Sequence, residues 1–411
     1  MEAPQAQLRG PDPALASVAR GSAVEVLRAF TRLGLTSFGG PVAHLGYFRT
    51  EFVERRRWLD DRGFSDLVAL CQFLPGPASS QVGMALGLAR AGWAGALMAW
   101  IGFTLPSALA LIAFAYGIAR WQQLAESGWV HGLKVAAVAV VAQAVWGMAR
   151  ALCPDRLRAG LAVGTALLVL ALPSALSQLA AIALAGLVGG WWLKLPQQPP
   201  AAHLVFGVSR AAGFAALATL LLLLAGLPLL AAATGSPFWQ LVDGFHRTGA
   251  LVFGGGHVVL PLLQEVVVPT GAVSSSDFLA GYGAAQAVPG PLFSFAAYLG
   301  AVTPGPLPGW LGGLVFLVVI FVPAFLLLVG ALPFWDRLRQ RDAVQAAMAG
   351  VNAGVVGILL AALYDPVWTS AIHTRADFAI ALAAFALLVV ARLSPVLVVL
   401  LAALAGWALP G

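Results

Sequence analysis

"SFGGPVAHLGYF", residues 37–48, breaks its own helix in the middle of a strongly apolar chain. Gly39-Gly40-Pro41 interrupts the backbone, and His44 sets an imidazole beside the interruption. A close variant, "VFGGGHVVLPLL", returns at residues 252–263. Bare backbone in hydrocarbon leaves N–H and C=O groups unpaired, so irregular segments survive only where protein or water covers them. Two such breaks in one chain therefore point to a covered, polar place inside a membrane protein.

The surrounding composition fits that setting. Of 411 residues 60% are hydrophobic and only 10% charged, against about 25% charged in a soluble domain. Residues 91–119 and 278–335 carry no charged side chain at all. A helical span needs about 20 apolar residues, so several helices cross a bilayer. The alternating ten-residue segments of a β-barrel are not seen. Residues 1–22 are polar and Pro-rich, without the apolar core of a signal peptide, and read as a disordered cytoplasmic tail. Cys71 and Cys153 lie in or beside apolar segments and suggest neither a disulfide framework nor a metal cluster. No metal or other cofactor is expected. The net charge of +6 comes from Arg-rich loops, and "ERRRWLDD" is too well balanced by acids to bind nucleic acid.

The chain repeats itself. Phe38-Gly39-Gly40 matches Phe253-Gly254-Gly255 at an offset of 215, which also pairs Phe30 with Phe245, Arg32 with Arg247 and Gly34 with Gly249. Gln72-Phe73-Leu74-Pro75-Gly76-Pro77 matches Gln286-Ala287-Val288-Pro289-Gly290-Pro291 at 214, and Pro106 matches Pro323 at 217. Such slow drift argues for duplication. Each half holds six apolar segments, the first two broken by FGG and by PGP. The expected division is a tail (1–22), a first membrane repeat (23–195), a linker with one connecting transmembrane helix (196–236) and a second repeat (237–411).

Arginine placement then orients the halves. The loop between the FGG and PGP segments of half one holds Arg49, Arg55, Arg56, Arg57 and Arg62, whereas its counterpart "EVVVPTGAVSSSD" holds no Lys or Arg. Arg120 stands alone where half two has Arg337, Arg339 and Arg341. Cytoplasmic loops collect Lys and Arg, so the halves are expected to be inverted. Thirteen full spans would put the five-Arg loop outside. Re-entrant FGG and PGP segments put it inside and are the preferred alternative. Both place the N-terminus in the cytoplasm and the C-terminus in the periplasm. The fold class is thus an all-α polytopic membrane protein of two inverted-topology six-segment repeats, with one extra helix between them.

Paired Gly/Pro-broken segments in two inverted halves mark a transporter's binding site. Free N–H groups at a helix start suit an anion. The substrate-binding candidates are Gly39, Gly40, Pro41, His44, Gln72, Pro75, Gly76, Pro77, Ser79 and Ser80 in half one. In half two they are Gly254, Gly255, Gly256, His257, Gln286, Pro289, Gly290, Pro291 and Ser294. The alternative is that the breaks only serve helix packing. Arg32, Arg247, Lys134, its counterpart Asn352, and Glu265 are candidate charge or coupling partners. Arg32 and Lys134 lie close enough to segment ends to snorkel instead.

These motifs resemble the two halves of a chromate ion transporter of the long, two-domain CHR type. The resemblance rests on Phe38-Gly39-Gly40-Pro41 with His44, the "EFVERRRW" run at 51–58, both PGP motifs, and Phe253-Gly254-Gly255-Gly256-His257. It covers almost the whole chain. It implies a multi-pass protein of the bacterial inner membrane that exports chromate and confers chromate resistance, driven by membrane potential, exchange or proton coupling. Sulfate or another oxyanion, and a passive anion channel, remain alternatives. The implied partners are chromate or a related oxyanion and the lipid bilayer, with a homodimer open. An enzyme is not expected, because no H-E-x-x-H motif or P-loop is present.

Overall fold

In a computed structural model, residues 21–37, 40–120, 128–172, 175–194, 206–252, 259–335, 341–369 and 371–408 are described. Every regular element among them is helical. In the first repeat α1 (Ala23–Thr36) and α2 (Gly40–Arg49) flank the FGG break, and α3 (Asp61–Phe73) and α4 (Ala78–Arg120) flank the PGP break. There follow α5 (Gly128–Leu152), α6 (Arg156–Ala171) and α7 (Ala175–Trp192). The connecting helix is α8 (Arg210–Thr234). The second repeat has α9 (Pro237–Leu251), α10 (Val259–Val267), α11 (Ser275–Ala287), α12 (Phe295–Val302), α13 (Gly309–Ala331), α14 (Asp342–Ala362), α15 (Arg375–Val389) and α16 (Pro395–Ala408). The order and the single unpaired helix follow the sequence expectation.

The broken segments are hairpins. A continuous helix from Glu25 to Arg56 would separate them by roughly 45 Å. Instead Arg56 reaches Glu25 at 3.8 Å, so the chain goes in along α1 and returns. The second hairpin ends at the same place, where Arg90 bonds Glu25 at 3.0 Å and lies 5.1 Å from the Trp58 ring centre. It turns again at Ala91-Gly92, where the backbone leaves helical geometry. A Cβ on Gly87 would strike the Gly95 carbonyl and approach Ala99 at 2.9 Å, although a straight helix would hold residues 87 and 99 about 18 Å apart. The stretch from Ala78 to Arg90 is therefore a short return arm, and only the rest of α4 is long enough to span.

The second repeat is arranged alike. Pro237 at its start, Thr270 between its hairpins and Pro304 just after the second hairpin line one cavity. Phe52, Trp58 and Phe64 are buried in the first-repeat core. Phe52 stacks on Phe30 at 4.9 Å and on Trp58 at 4.5 Å. Arg55 and Arg57 stay exposed and Arg56 is half-buried, while the aromatic rings pin the loop to α1.

The remaining helices exchange partners between repeats. α5 packs on α15 and α16, and α14 packs on α6 and α7. A Cβ on Gly132 would strike the Ala402 carbonyl, and one on Gly350 would strike the Ala185 carbonyl. Small residues spaced by four let these backbones approach, as helices in lipid require when no hydrophobic effect drives them together. His131 of α5 also bonds Asp377 of α15 at 2.6 Å. Asp377 is held in place by the Thr374 capping box at the start of α15.

Five helical stretches are long and apolar enough to cross a membrane among the described residues, the 78–117 stretch counted as one. The outer face is correspondingly apolar: Leu222 and Leu229 of α8 are 73% and 70% exposed. Trp191, Trp192 and Trp407 are exposed at helix ends, where a membrane interface holds such rings. The protein is a multi-pass membrane protein.

Candidate functional site

The residues just before each FGG break bond the PGP glycines across the repeats. The Gly76 N–H donates to the Val252 carbonyl at 2.6 Å, and the Gly290 N–H donates to the Ser37 carbonyl at 2.9 Å. Gly76 and Gly290 are equivalent at the PGP offset of 214, and Ser37 and Val252 at the FGG offset of 215. The two bonds are thus one contact made twice, as a two-fold relation between repeats demands. Replacing either glycine strains the backbone and crowds its neighbours. The glycine φ values are +123° and +102°, in the region that costs other residues roughly 1–2 kcal/mol. A Cβ on Gly76 would also lie 2.8 Å from the Ala324 Cβ, and one on Gly290 would lie 2.9 Å from the Ser107 hydroxyl.

Polar side chains gather around this crossing in an otherwise apolar interior. Ser37, His44, Ser79, Ser80, Gln81, Thr104, Ser107 and Ser294 are all buried. Gln81 braces the first break: its Nε2 donates to the Pro75 carbonyl at 2.9 Å and to the Ala324 carbonyl of the other repeat at 3.2 Å. Its backbone N–H donates to the Pro77 carbonyl. His44 Nδ1 lies 3.3 Å from the Ser79 hydroxyl, and its ring sits edge-on to Phe103. That pairing ties the α2 arm to the first turn of α4. Ser294 is used within its own break, donating to the Pro291 carbonyl at 2.7 Å. By contrast the Ser37, Ser80 and Thr104 hydroxyls and the Gln81 Oε1 have no protein partner. Buried polar atoms are seldom left so, and three of these four are hydroxyls able to donate to an anion.

The other candidates fall in different places. Gly39, Gly254, Gly255, Gly256 and His257 lie outside the described residues. Gly40 opens α2 with φ +79°, and Pro41 is half-buried beside it. Pro77 is buried, and Pro289 is half-buried beside Gly290. Gln72 is exposed on α3, while Gln286 is half-buried and bonds the Tyr282 side chain. Arg32 is exposed, and Arg247 is paired with Asp243 at 2.8 Å one helical turn away. Lys134 donates to the Ser276 hydroxyl, joining α5 to the start of α11. Asn352 keeps a buried, unpartnered Oδ1 on α14. Glu265 lines a cavity away from the crossing. Sequence reasoning missed Ser37, Thr104 and Ser107 as site residues. The signal for the last two was the in-register Pro106, which they flank.

A crossing of this kind, doubled and polar within lipid-facing helices, is a transporter's architecture, and the comparisons with known proteins agree. The family model described as chromate transporter matches residues 24–191 and again 239–407. The chain belongs to the chromate transporter family. Members of that family are membrane transporters, not enzymes. This family member is 28% identical over 403 residues to a chromate transport protein of Pseudomonas aeruginosa, covering 93% of the chain and 91% of that relative. It is 27% identical over 351 residues to a probable chromate transport protein of Synechococcus elongatus, covering 82% and 83%. A chromate transport protein of Cupriavidus metallidurans matches at 27% over 348 residues, covering 82% and 81%. No solved structure matches. The twice-matched family model falls on the same two halves whose breaks cross at Gly76 and Gly290.

Proposed function

We propose that this protein is a secondary active transporter that exports chromate across the bacterial inner membrane, binding the oxyanion at the crossed breaks. The observation that carries the reading is the reciprocal pair of bonds, Gly76 to Val252 and Gly290 to Ser37. It joins the two repeats through the segments that hold the unpartnered hydroxyls of Ser37, Ser80 and Thr104. The start of α4 adds first-turn N–H groups with partial positive charge. A tetrahedral dianion can use several such donors at once. Chromate as the cargo rests on the family and on the chromate transport proteins among the relatives.

In this reading the repeats are inverted, with the hairpins of the first rooted in the cytoplasm and those of the second in the periplasm. The N-terminus is then cytoplasmic and the C-terminus periplasmic. Export of a dianion from a negative-inside cell gains ~2.3 kcal/mol per charge per 100 mV, so no nucleotide site is required.

The deciding experiment is chromate flux in inside-out vesicles with potential and pH gradient set separately. Uptake that saturates and shows counter-transport is expected. Linear, non-saturating flux would replace the carrier by a channel. Flux of sulfate with no response to chromate would replace the substrate and leave the architecture standing.

A further inference from the structure

A second polar cavity, away from the crossing, has no role in the reading above. It measures about 120 Å³ and lies between α10 and α14 of the second repeat and the α6–α7 hairpin of the first. Glu265 and Asp365 both line it, with Gln178 and Gln264. Gln178 is 4% exposed, and its Oε1 has no partner; neither has the Oε1 of Gln264. Ionised carboxylates only accept hydrogen bonds, and so do amide oxygens. The Glu265 carboxylate and two orphaned amide oxygens, all acceptors, thus line one space with Asp365.

We propose that Glu265 holds a proton beside the Asp365 carboxylate, and that this acidic pair is the site where protons couple to anion movement. A proton on Glu265 supplies an O–H donor for an orphaned amide oxygen and removes the like-charge repulsion with Asp365. Two carboxylates sharing one site cannot both ionise cheaply. Consistent with this, burial and the neighbouring Asp365 carboxylate raise the Glu265 carboxyl above its ordinary range. Asp365 also accepts from the Thr369 hydroxyl at 3.1 Å. α9, which packs on α10, carries Asp243, His246 and Arg247, and of these Asp243 and Arg247 pair with each other. From the α6–α7 hairpin the cavity lining is neutral.

The position suits coupling. Glu265 sits on α10, the return arm of the second FGG hairpin, so its protonation acts on an arm that ends at the crossing. In the proposed topology the cavity lies toward the periplasm, the side from which protons enter. The pair also exists once only. At the offset of 218 that matches Lys134 to Asn352, Asp365 corresponds to Gly147, and at 220 Gln178 corresponds to Val398. A feature that the fold needed for symmetry would be present in both halves.

The coupling role rests on the transport reading, but the site itself does not, so two measurements keep them apart. Infrared difference spectra of the full chain across pH report protonated carboxyl directly. The wild type is expected to show a carboxyl band that persists well above the ordinary Glu range, lost in Glu265→Gln and in Asp365→Asn. An unchanged band in both variants overturns the pair, whatever the flux does. In proteoliposomes at clamped potential, an inward proton gradient is expected to accelerate wild-type chromate export, and this stimulation is lost in either variant. Full stimulation in both variants, or flux that follows a sodium gradient and ignores protons, overturns the coupling role. A wild type that carries no chromate removes the proposed substrate, while the infrared band still decides the pair.

Discussion

At the foot of the first-repeat hairpins, Glu25, Arg56 and Arg90 form an ionic cluster. At the equivalent foot of the second, Gln240, Thr270 and Pro304 line a neutral cavity of about 230 Å³. The correspondence runs through the same offsets as the motifs, 215 for Glu25 and 214 for the two arginines. One backbone arrangement is therefore held by ion pairs in one half and left uncharged and partly open in the other. The hairpin does not need the charges in order to form. Their presence on one side alone is what the positive-inside rule would ask of the proposed inversion.

The most direct way to break that comparison is all-or-none. Single cysteines at Arg57 and Gly271, in a variant lacking Cys71 and Cys153, are expected to label from opposite sides of the membrane. Labelling of both from the cytoplasm would remove the inversion and with it the proposed topology.

The next largest effect concerns what the halves share. Gly76→Val and Gly290→Val each force a side chain into left-handed backbone and into the opposite repeat. Chromate flux is expected to fall at least tenfold in each, with membrane insertion retained. Equal losses sharpen the two-fold relation. A loss confined to one variant would mean that only one crossing bond matters.

A smaller effect separates the feet. Arg90 is 16% exposed and pairs with Glu25, so Arg90→Ala leaves a half-buried carboxylate without its nearest cation. This is expected to cost about 1–3 kcal/mol, seen as a lower melting temperature in detergent. Pro304→Ala, at the equivalent position, is expected to change stability by less than about 0.5 kcal/mol.

Much of this was legible in the sequence because it is written in backbone chemistry. Glycine and proline at Gly76-Pro77 and Gly290-Pro291 must recur wherever a helix breaks twice in the same way. Side-chain pairings were less legible. Arg32 and Arg247 share a register, yet Arg247 is taken by Asp243 one turn earlier, a position that is Arg28 in the first half. Ser37 and Thr104 carry no motif of their own, and only the crossing of the repeats shows their hydroxyls to be buried. The Glu265 cavity draws residues from three segments far apart in the chain, so no local pattern announced it.

The finest comparison is between Glu51 and Glu265, which correspond at the PGP offset of 214. Both are partly removed from water, which raises a carboxyl. For Glu51, Arg56 at 2.6 Å and Arg55 at 3.1 Å outweigh that burial and hold the group below its ordinary range. For Glu265 burial prevails, and the neighbouring Asp365 carboxylate raises it further. The signs of the linkage are then opposite. Glu51 contributes stability above the unfolded carboxyl pKa, and that contribution is lost as pH falls through its lowered folded value. Glu265 contributes stability at low pH, and loses it as pH rises through its raised folded value. Glu51→Gln is therefore expected to lower the melting temperature at neutral pH, with the deficit closing on acidification. Glu265→Gln is expected to leave it unchanged or raise it slightly at neutral pH, with the benefit disappearing in acid. Parallel pH profiles for the two variants would mean that Asp365 does not set the behaviour of Glu265, and the contrast between the two return arms would be one of sequence only.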